Sequence, residues 1–165
     1  MTSKIRYYVD DNCLQNLYHS FMQSHINYNI LNWSCTHPTF LDPLETKMKK
    51  AIRTISFSKT KYDHTEPLFK KHKKLPFNEQ IKLKKATLLW KITKGYVPPP
   101  VCNLFTKKQR NCNKSILPKV KNKRDKMLLE YSCITVWNTV PESIKNLTTL
   151  KSFSNNYKEH LLNNI

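Results

Sequence analysis

The sequence predicts a mainly α fold, on three observations: apolar residues recur at three- and four-residue spacing over several long stretches, glycine occurs once, and the nine prolines are scattered. Strands are minor elements at most, and the stretch best suited to one is Ile116 to Val120. At 165 residues the chain can bury one ordinary core or two small helical subdomains.

The first helix is expected from Asn12 to Ile30. Leu14, Leu17, Tyr18, Phe21, His25 and Tyr28 recur at helical spacing there, and Asp10, Asp11 and Asn12 are suited to its first turn. His25, on that apolar stripe, is expected to be a hydrogen-bonded core residue. A second helix is expected to begin at Asp42-Pro43-Leu44-Glu45, with Asp42 as cap, Pro43 at the first helical position and Glu45 reaching back, and to end near Phe57. Leu44, Met48, Ala51, Ile52 and Ile55 share one arc of it, and Lys49, Lys50 and Arg53 fall on the other side. Phe77, Ile81, Leu88 and Ile92 mark a third helix that stops at Gly95, before Pro98-Pro99-Pro100. Leu83 and Trp90 lie off its main stripe, so this helix is expected to be covered on two faces, the second by protein outside this chain. Residues 106–127 are polar and basic with little periodicity and read as a linker. An aromatic-anchored piece from Tyr131 to Ile144 follows, then a last amphipathic helix with Leu150, Phe153, Tyr157 and Leu161 on one face.

Composition narrows the function. Lys plus Arg number 29 against 11 Asp plus Glu, giving a formal charge of +18 spread along the chain, which calls for a polyanionic partner. No apolar run approaches the length of a membrane span, and Met1 to Val9 lacks a signal-peptide core, so no membrane partner is expected. Five irregularly spaced cysteines suggest reduced thiols and an intracellular location, cytoplasmic or nuclear. The Asn-x-Ser/Thr triplets at Asn32, Asn113 and Asn146 are then chance matches.

Chemistry-bearing patterns are sparse. Tyr8-Val9-Asp10-Asp11 has the form of a polymerase metal box, but two-metal chemistry needs a further aspartate from an earlier strand, and a helical pattern follows instead; Asp10 and Asp11 are expected to serve a helix N-terminus. Cys35, His37, His64 and His72 lack the local pairing of a zinc site. No phosphate-binding glycine loop or nucleophile elbow occurs, and no catalytic residue or metal ligand is assigned. The basic clusters carry the functional expectation: Lys47, Lys49, Lys50 and Arg53; Lys59 and Lys61; Lys70, Lys71, Lys73 and Lys74; Lys82, Lys84 and Lys85; with Lys107, Lys108 and Arg110 beyond them. Lysines are point charges suited to phosphates and poor at reading base edges, so salt-sensitive, sequence-independent binding is expected, with Trp33 and Tyr62 as stacking candidates.

Several longer motifs occur in a characteristic order. They are Ser24-His25-Ile26-Asn27-Tyr28 followed by Trp33; Lys49-Lys50-Ala51-Ile52-Arg53; His64-Thr65-Glu66-Pro67-Leu68-Phe69; Leu75-Pro76; Asn103-Leu104-Phe105; Leu117-Pro118; Tyr131; Val136-Trp137-Asn138-Thr139-Val140-Pro141; Ile144; and the closing Phe153 helix. Over nearly its whole length the chain resembles the region downstream of the polymerase palm in the reverse transcriptase open reading frame of non-LTR retrotransposons, jockey-like or chicken-repeat-like. It departs from that pattern at Asn29, where the family usually has Gly, and at Cys133-Ile134, where Gly-Pro is common. The resemblance implies a helical thumb-like region over 1–105, the basic linker over 106–127 and a helical C-terminal extension over 128–165, with the catalytic aspartates of the palm upstream of Met1. It implies partners among RNA, DNA and RNA/DNA hybrid, together with the missing palm domain. No cofactor is implied for this fragment; Mg would be required by the palm. The chain alone is then expected to be a truncated reverse transcriptase fragment that binds nucleic-acid backbone without polymerase activity. The alternatives are part of a longer active RNA-directed DNA polymerase, or a non-functional relic of a decayed element.

Overall fold

A computed structural model describes residues 7–57, 64–105, 109–111, 114–115, 117–120, 122 and 124–165. Lys59, Lys61, Tyr62, Lys107 and Lys108 lie outside the described residues. The fold is mainly helical, as expected.

The first helical run has three parts: α1 (Asp11–Leu17), a π-helical segment (Tyr18–Gln23) and α2 (Ser24–Asn27). Asp10 caps it, its carboxylate accepting the Cys13 backbone N–H at 3.1 Å, as expected of an acidic residue at a helix N-terminus. In the π segment the Ser24 N–H reaches back five residues to the His19 carbonyl, which widens the turn by one residue. The inward stripe therefore advances in steps of four, through Leu14, Tyr18, Met22, Ile26 and Ile30. The stripe expected from a regular helix is overturned from its midpoint on: Phe21 and Tyr28 are 60 % and 80 % exposed, and His25 is exposed instead of lying in the core. A short α3 (Ile30–Trp33) follows Asn29, whose backbone is left-handed at φ 51°.

Helix α4 spans Pro38–Ile55 and starts four residues before the expected Asp42. His37 caps it with Nδ1 toward the Thr39 N–H, Pro38 takes the opening turn, and Pro43 is carried inside the helix. Glu45 does not reach back to a cap; it pairs forward with Lys49 at 2.5 Å. The expected apolar arc holds, with Met48, Ile52 and Ile55 buried.

Helix α5 (Glu66–Lys71) leads through a tight turn into α6 (Phe77–Thr93). Helix α6 ends as expected: Gly95 adopts φ 74°, its N–H bonds the Ile92 carbonyl at 3.1 Å, and the Tyr96 N–H bonds the Lys91 carbonyl at 2.9 Å. This pair of bonds is the Schellman arrangement, completed by Tyr96 stacking on Trp90 at 5.9 Å. Helix α7 (Pro99–Phe105) precedes two short antiparallel strands, β1 (Gln109–Asn111) and β2 (Lys114–Ser115). The strand pair thus forms earlier than the stretch favoured by the sequence, and Leu117–Val120 is irregular. A 3₁₀ turn (Asp125–Met127), α8 (Leu129–Thr139), α9 (Glu142–Lys145) and α10 (Leu150–Asn163) complete the described chain.

Helix α6 joins two hydrophobic cores. Its first half, through Phe77 and Ile81, packs with Leu14, Tyr18, Ile30, Met48, Ile52 and Phe69. Its second half, through Ala86, Leu89 and Trp90, packs with Cys133, Trp137, Phe153, Tyr157 and Leu161. Trp90 is 1 % exposed, stacks on Phe153 at 5.7 Å and donates from Nε1 to the Leu147 carbonyl at 3.2 Å. The second face of α6 is therefore covered by the chain's own C-terminal helices, which corrects the expectation of an external cover.

Candidate nucleic-acid interface

The lysine clusters divide by environment. On α4, Lys47 and Lys50 are exposed, Lys49 is committed to Glu45, and Arg53 is half-buried. Lys70 and Lys71 project from the last turn of α5, and Lys73 is exposed just beyond it. On α6, Lys82 is exposed and pairs with Glu79 at 2.7 Å, Lys84 is half-buried, and Lys85 is 6 % exposed. Of these clusters, those on α4 and around the end of α5 present the open charge; Lys94, Lys119, Lys126 and Lys151 are exposed elsewhere on the described chain.

Lys47 and Lys50 border an apolar groove of about 550 Å³ between the first helical run and α4, lined by Leu17, Phe21, Met22 and Ala51. Tyr18 also lines it, and among the described residues its buried hydroxyl has no hydrogen-bond partner. Burial pushes that phenol up to about 12. The stacking candidate Trp33 is turned inward, stacking on Phe77 at 5.7 Å and donating to the Tyr28 carbonyl at 2.8 Å. Exposed rings lie instead at Phe21, Tyr28 and Phe40.

Lys74 differs from its neighbours. The turn after α5 is a second Schellman arrangement: Lys73 takes φ 50°, its N–H bonds the Lys70 carbonyl at 3.0 Å, and the Lys74 N–H bonds the Phe69 carbonyl at 2.9 Å. That turn drives the Lys74 side chain inward to 6 % exposure. Its ammonium lies 4.2 Å from the centre of the Tyr18 ring and donates to His19 Nε2 at 3.0 Å. Burial, reinforced by the charge of Lys158, lowers its pKa from 10.5 to about 8. His19 is held below the usual imidazole range by burial, then by Lys74 and Lys158.

A cleft of about 490 Å³ opens beside Lys74. One wall is a polar ladder from the first helical run, Gln15, His19, Gln23 and Asn27, displaced by one residue from the apolar ladder and following the same four-residue step. Gln23 and Gln80 exchange side-chain amide hydrogen bonds at 2.9 and 3.2 Å, and Gln80 also donates to the Leu75 carbonyl. Gln15 donates to His72 Nδ1 at 2.7 Å, so His72 carries its proton on Nε2 and donates to Ser56 Oγ at 2.9 Å. Burial lowers the His72 pKa, with Lys71 and Lys74 acting in the same direction and Asp11 against them. Lys73, Leu75, Leu83, Lys84 and Lys158 complete the lining. The structure thus brings together three of the expected lysines with His19, His72 and Lys158, which the charge pattern did not single out. The four-residue recurrence of Gln15, His19, Gln23 and Asn27 is the sequence signal that marks the wall; Lys158, far along the chain, has none.

Among the described residues no group of three His, Cys, Asp or Glu side chains is arranged to hold a metal ion. Of the zinc candidates, Cys35 donates to the Leu31 carbonyl, His37 caps α4 and His72 serves the network above. Among the described residues no helix is long and apolar enough to cross a membrane. No protein-family model, curated protein or solved structure matches the chain.

Proposed function

We propose that this chain is a nucleic-acid-binding fragment of the thumb and post-thumb kind, derived from a non-LTR retrotransposon reverse transcriptase, which grips RNA or RNA/DNA backbone without regard to sequence. The observation that carries the proposal is the distribution of its +18 charge: Lys47, Lys50, Lys70, Lys71 and Lys73 stand exposed on two helices and the turn that follows them. Ammonium groups so placed meet phosphates and release counterions, which supplies affinity with little base discrimination. The local backbone is also consistent with the family resemblance. Asn29, at the position where that family usually has Gly, is left-handed, a conformation glycine takes without strain and asparagine tolerates. The polymerase palm and its metal-binding aspartates belong, on this reading, to a part of the parent protein outside this chain.

Charge reversal at Lys49, Lys50 and Arg53 tests the assignment. Weaker binding to RNA and RNA/DNA hybrid, with a shallower dependence on salt, is the expected result. Since Lys49 is held by Glu45, most of the loss should come from Lys50. Affinity unchanged by the triple variant removes α4 from the interface.

A further inference from the structure

We propose that the cleft beside Lys74 is a seat for a single phosphate group, distinct from the open lysine surface on α4, and that it holds one phosphate of the bound strand. The proposal deepens the nucleic-acid reading above, on which it rests for the identity of the phosphate's carrier.

A buried ammonium normally has a carboxylate beside it, because the folded state must otherwise hold an uncompensated charge out of water. Lys74 is 6 % exposed, and among the described residues no Asp or Glu lines its cleft. Its contacts are neutral: the Tyr18 ring at 4.2 Å and His19 Nε2 at 3.0 Å. An ammonium has three donors, and His19 accepts from one, so donor capacity remains toward the cleft it lines. Of the cations that share the lining, Lys158 adds repulsion on Lys74, and Lys73 and Lys84 border the same cleft. Asp11 acts on this neighbourhood through His72, against the pull of burial and of Lys71 and Lys74. A buried ammonium in a cleft of about 490 Å³, bordered by three further lysines and by no acidic side chain among the described residues, is an arrangement that an anion relieves. Phosphate suits it: a terminal monoester carries more charge than a carboxylate, and an internal diester carries the same single charge with bridging as well as non-bridging oxygens to accept from the lysines around it. The π-helical segment that aims His19 at Lys74 and places Gln23 on the same wall fits this role, since such widened turns recur at binding sites.

The phosphate can be an internal diester of the strand or a terminal monoester, and one set of titrations separates them. The full chain is titrated with inorganic phosphate followed by ³¹P line broadening, and with short RNA oligonucleotides carrying either a 5′-phosphate or a 5′-hydroxyl. The variants are Lys74→Met, Lys158→Gln and, as a control of equal charge change on an exposed residue outside the cleft, Lys151→Gln. Saturable phosphate binding is expected, weakened about tenfold or more by Lys74→Met and several-fold by Lys158→Gln, with Lys151→Gln close to the parent. Preference for the 5′-phosphorylated oligonucleotide identifies a terminal group; equal affinity, with the same loss in Lys74→Met, identifies an internal diester. Circular dichroism of each variant reports the fold. Phosphate that binds without saturation, or equally to the parent and to Lys74→Met, overturns the phosphate seat while salt-dependent oligonucleotide binding still stands. Saturable phosphate binding in a chain that ignores every oligonucleotide overturns the nucleic-acid carrier and leaves the seat.

Discussion

Lys74→Met should make the protein more stable at neutral pH, and the gain should disappear in mild alkali. The Lys74 residue is 6 % exposed and its pKa falls from 10.5 to about 8, chiefly through burial. A displacement of that size corresponds to about 3 kcal/mol of penalty on the charged form. Loss of the contact with the Tyr18 ring offsets about 1 kcal/mol, so a net gain of about 2 kcal/mol is expected at pH 6.5. The sign follows from proton counts. Between pH 8 and 10.5 the unfolded chain still holds the proton that the folded chain has released, so stability of the parent rises with pH in that window. The variant lacks this rise, and its advantage should shrink by about 2 kcal/mol between pH 6.5 and 9.5. Cys133, whose thiol burial pushes from 9.0 up to about 12, lowers stability above pH 9 in both proteins and cancels in the comparison. Urea denaturation at pH 6.5, 8 and 9.5, followed by circular dichroism, measures the difference directly. A variant less stable than the parent at pH 6.5, or a difference that stays constant with pH, refutes the reasoning.

Other perturbations test separate parts of the account. Lys73→Gly should raise stability by about 0.5–1 kcal/mol in denaturant titration, because the native φ of 50° is left-handed and glycine adopts it without a Cβ clash. Tyr18→Phe removes a buried hydroxyl with no partner among the described residues while keeping the ring under Lys74; a gain of about 1 kcal/mol is expected, and a loss would reveal an unrecognised partner for that oxygen. Trp90→Ala should cost about 3–5 kcal/mol, and, since α6 runs through both cores, circular dichroism and tryptophan fluorescence should still report one coincident transition. Acidification below the ordinary imidazole range should destabilise the fold. His19 and His72 have lowered pKa values, so the unfolded chain takes up protons first; thermal melts at pH 7 and 5.5 check this.

Much of the helical framework was legible from spacing alone. The arc of α4, the Gly95 stop of α6 and the closing stripe of Phe153, Tyr157 and Leu161 all follow from where apolar and turn-forming residues stand. The first helix was legible only to Tyr18, because one widened turn moved the inward stripe by a residue, and periodicity at a fixed angle cannot anticipate that change. The start of α4 was misplaced because two prolines, Pro38 and Pro43, both suit an opening turn, and packing allowed the helix to carry the second one inside. For the site, the open lysines of α4 and α5 were legible as charge. Lys74 was not distinguishable from Lys70, Lys71 and Lys73, since a run of lysines reads as a solvated surface. What separates it is a tertiary event: a left-handed turn at Lys73, a residue type that carries no signal for one, points the next side chain inward.

The central claim is that the exposed lysines of this chain bind nucleic-acid backbone, and a salt titration tests it most directly. The purified chain is titrated against labelled single-stranded RNA, duplex DNA and RNA/DNA hybrid at several salt concentrations, with circular dichroism on the same samples. A helical protein whose log affinity falls linearly with log salt, losing about one unit of slope for each phosphate contact, is the expected result, with little dependence on base sequence. A folded, helical protein that ignores all three ligands at low salt would contradict the account.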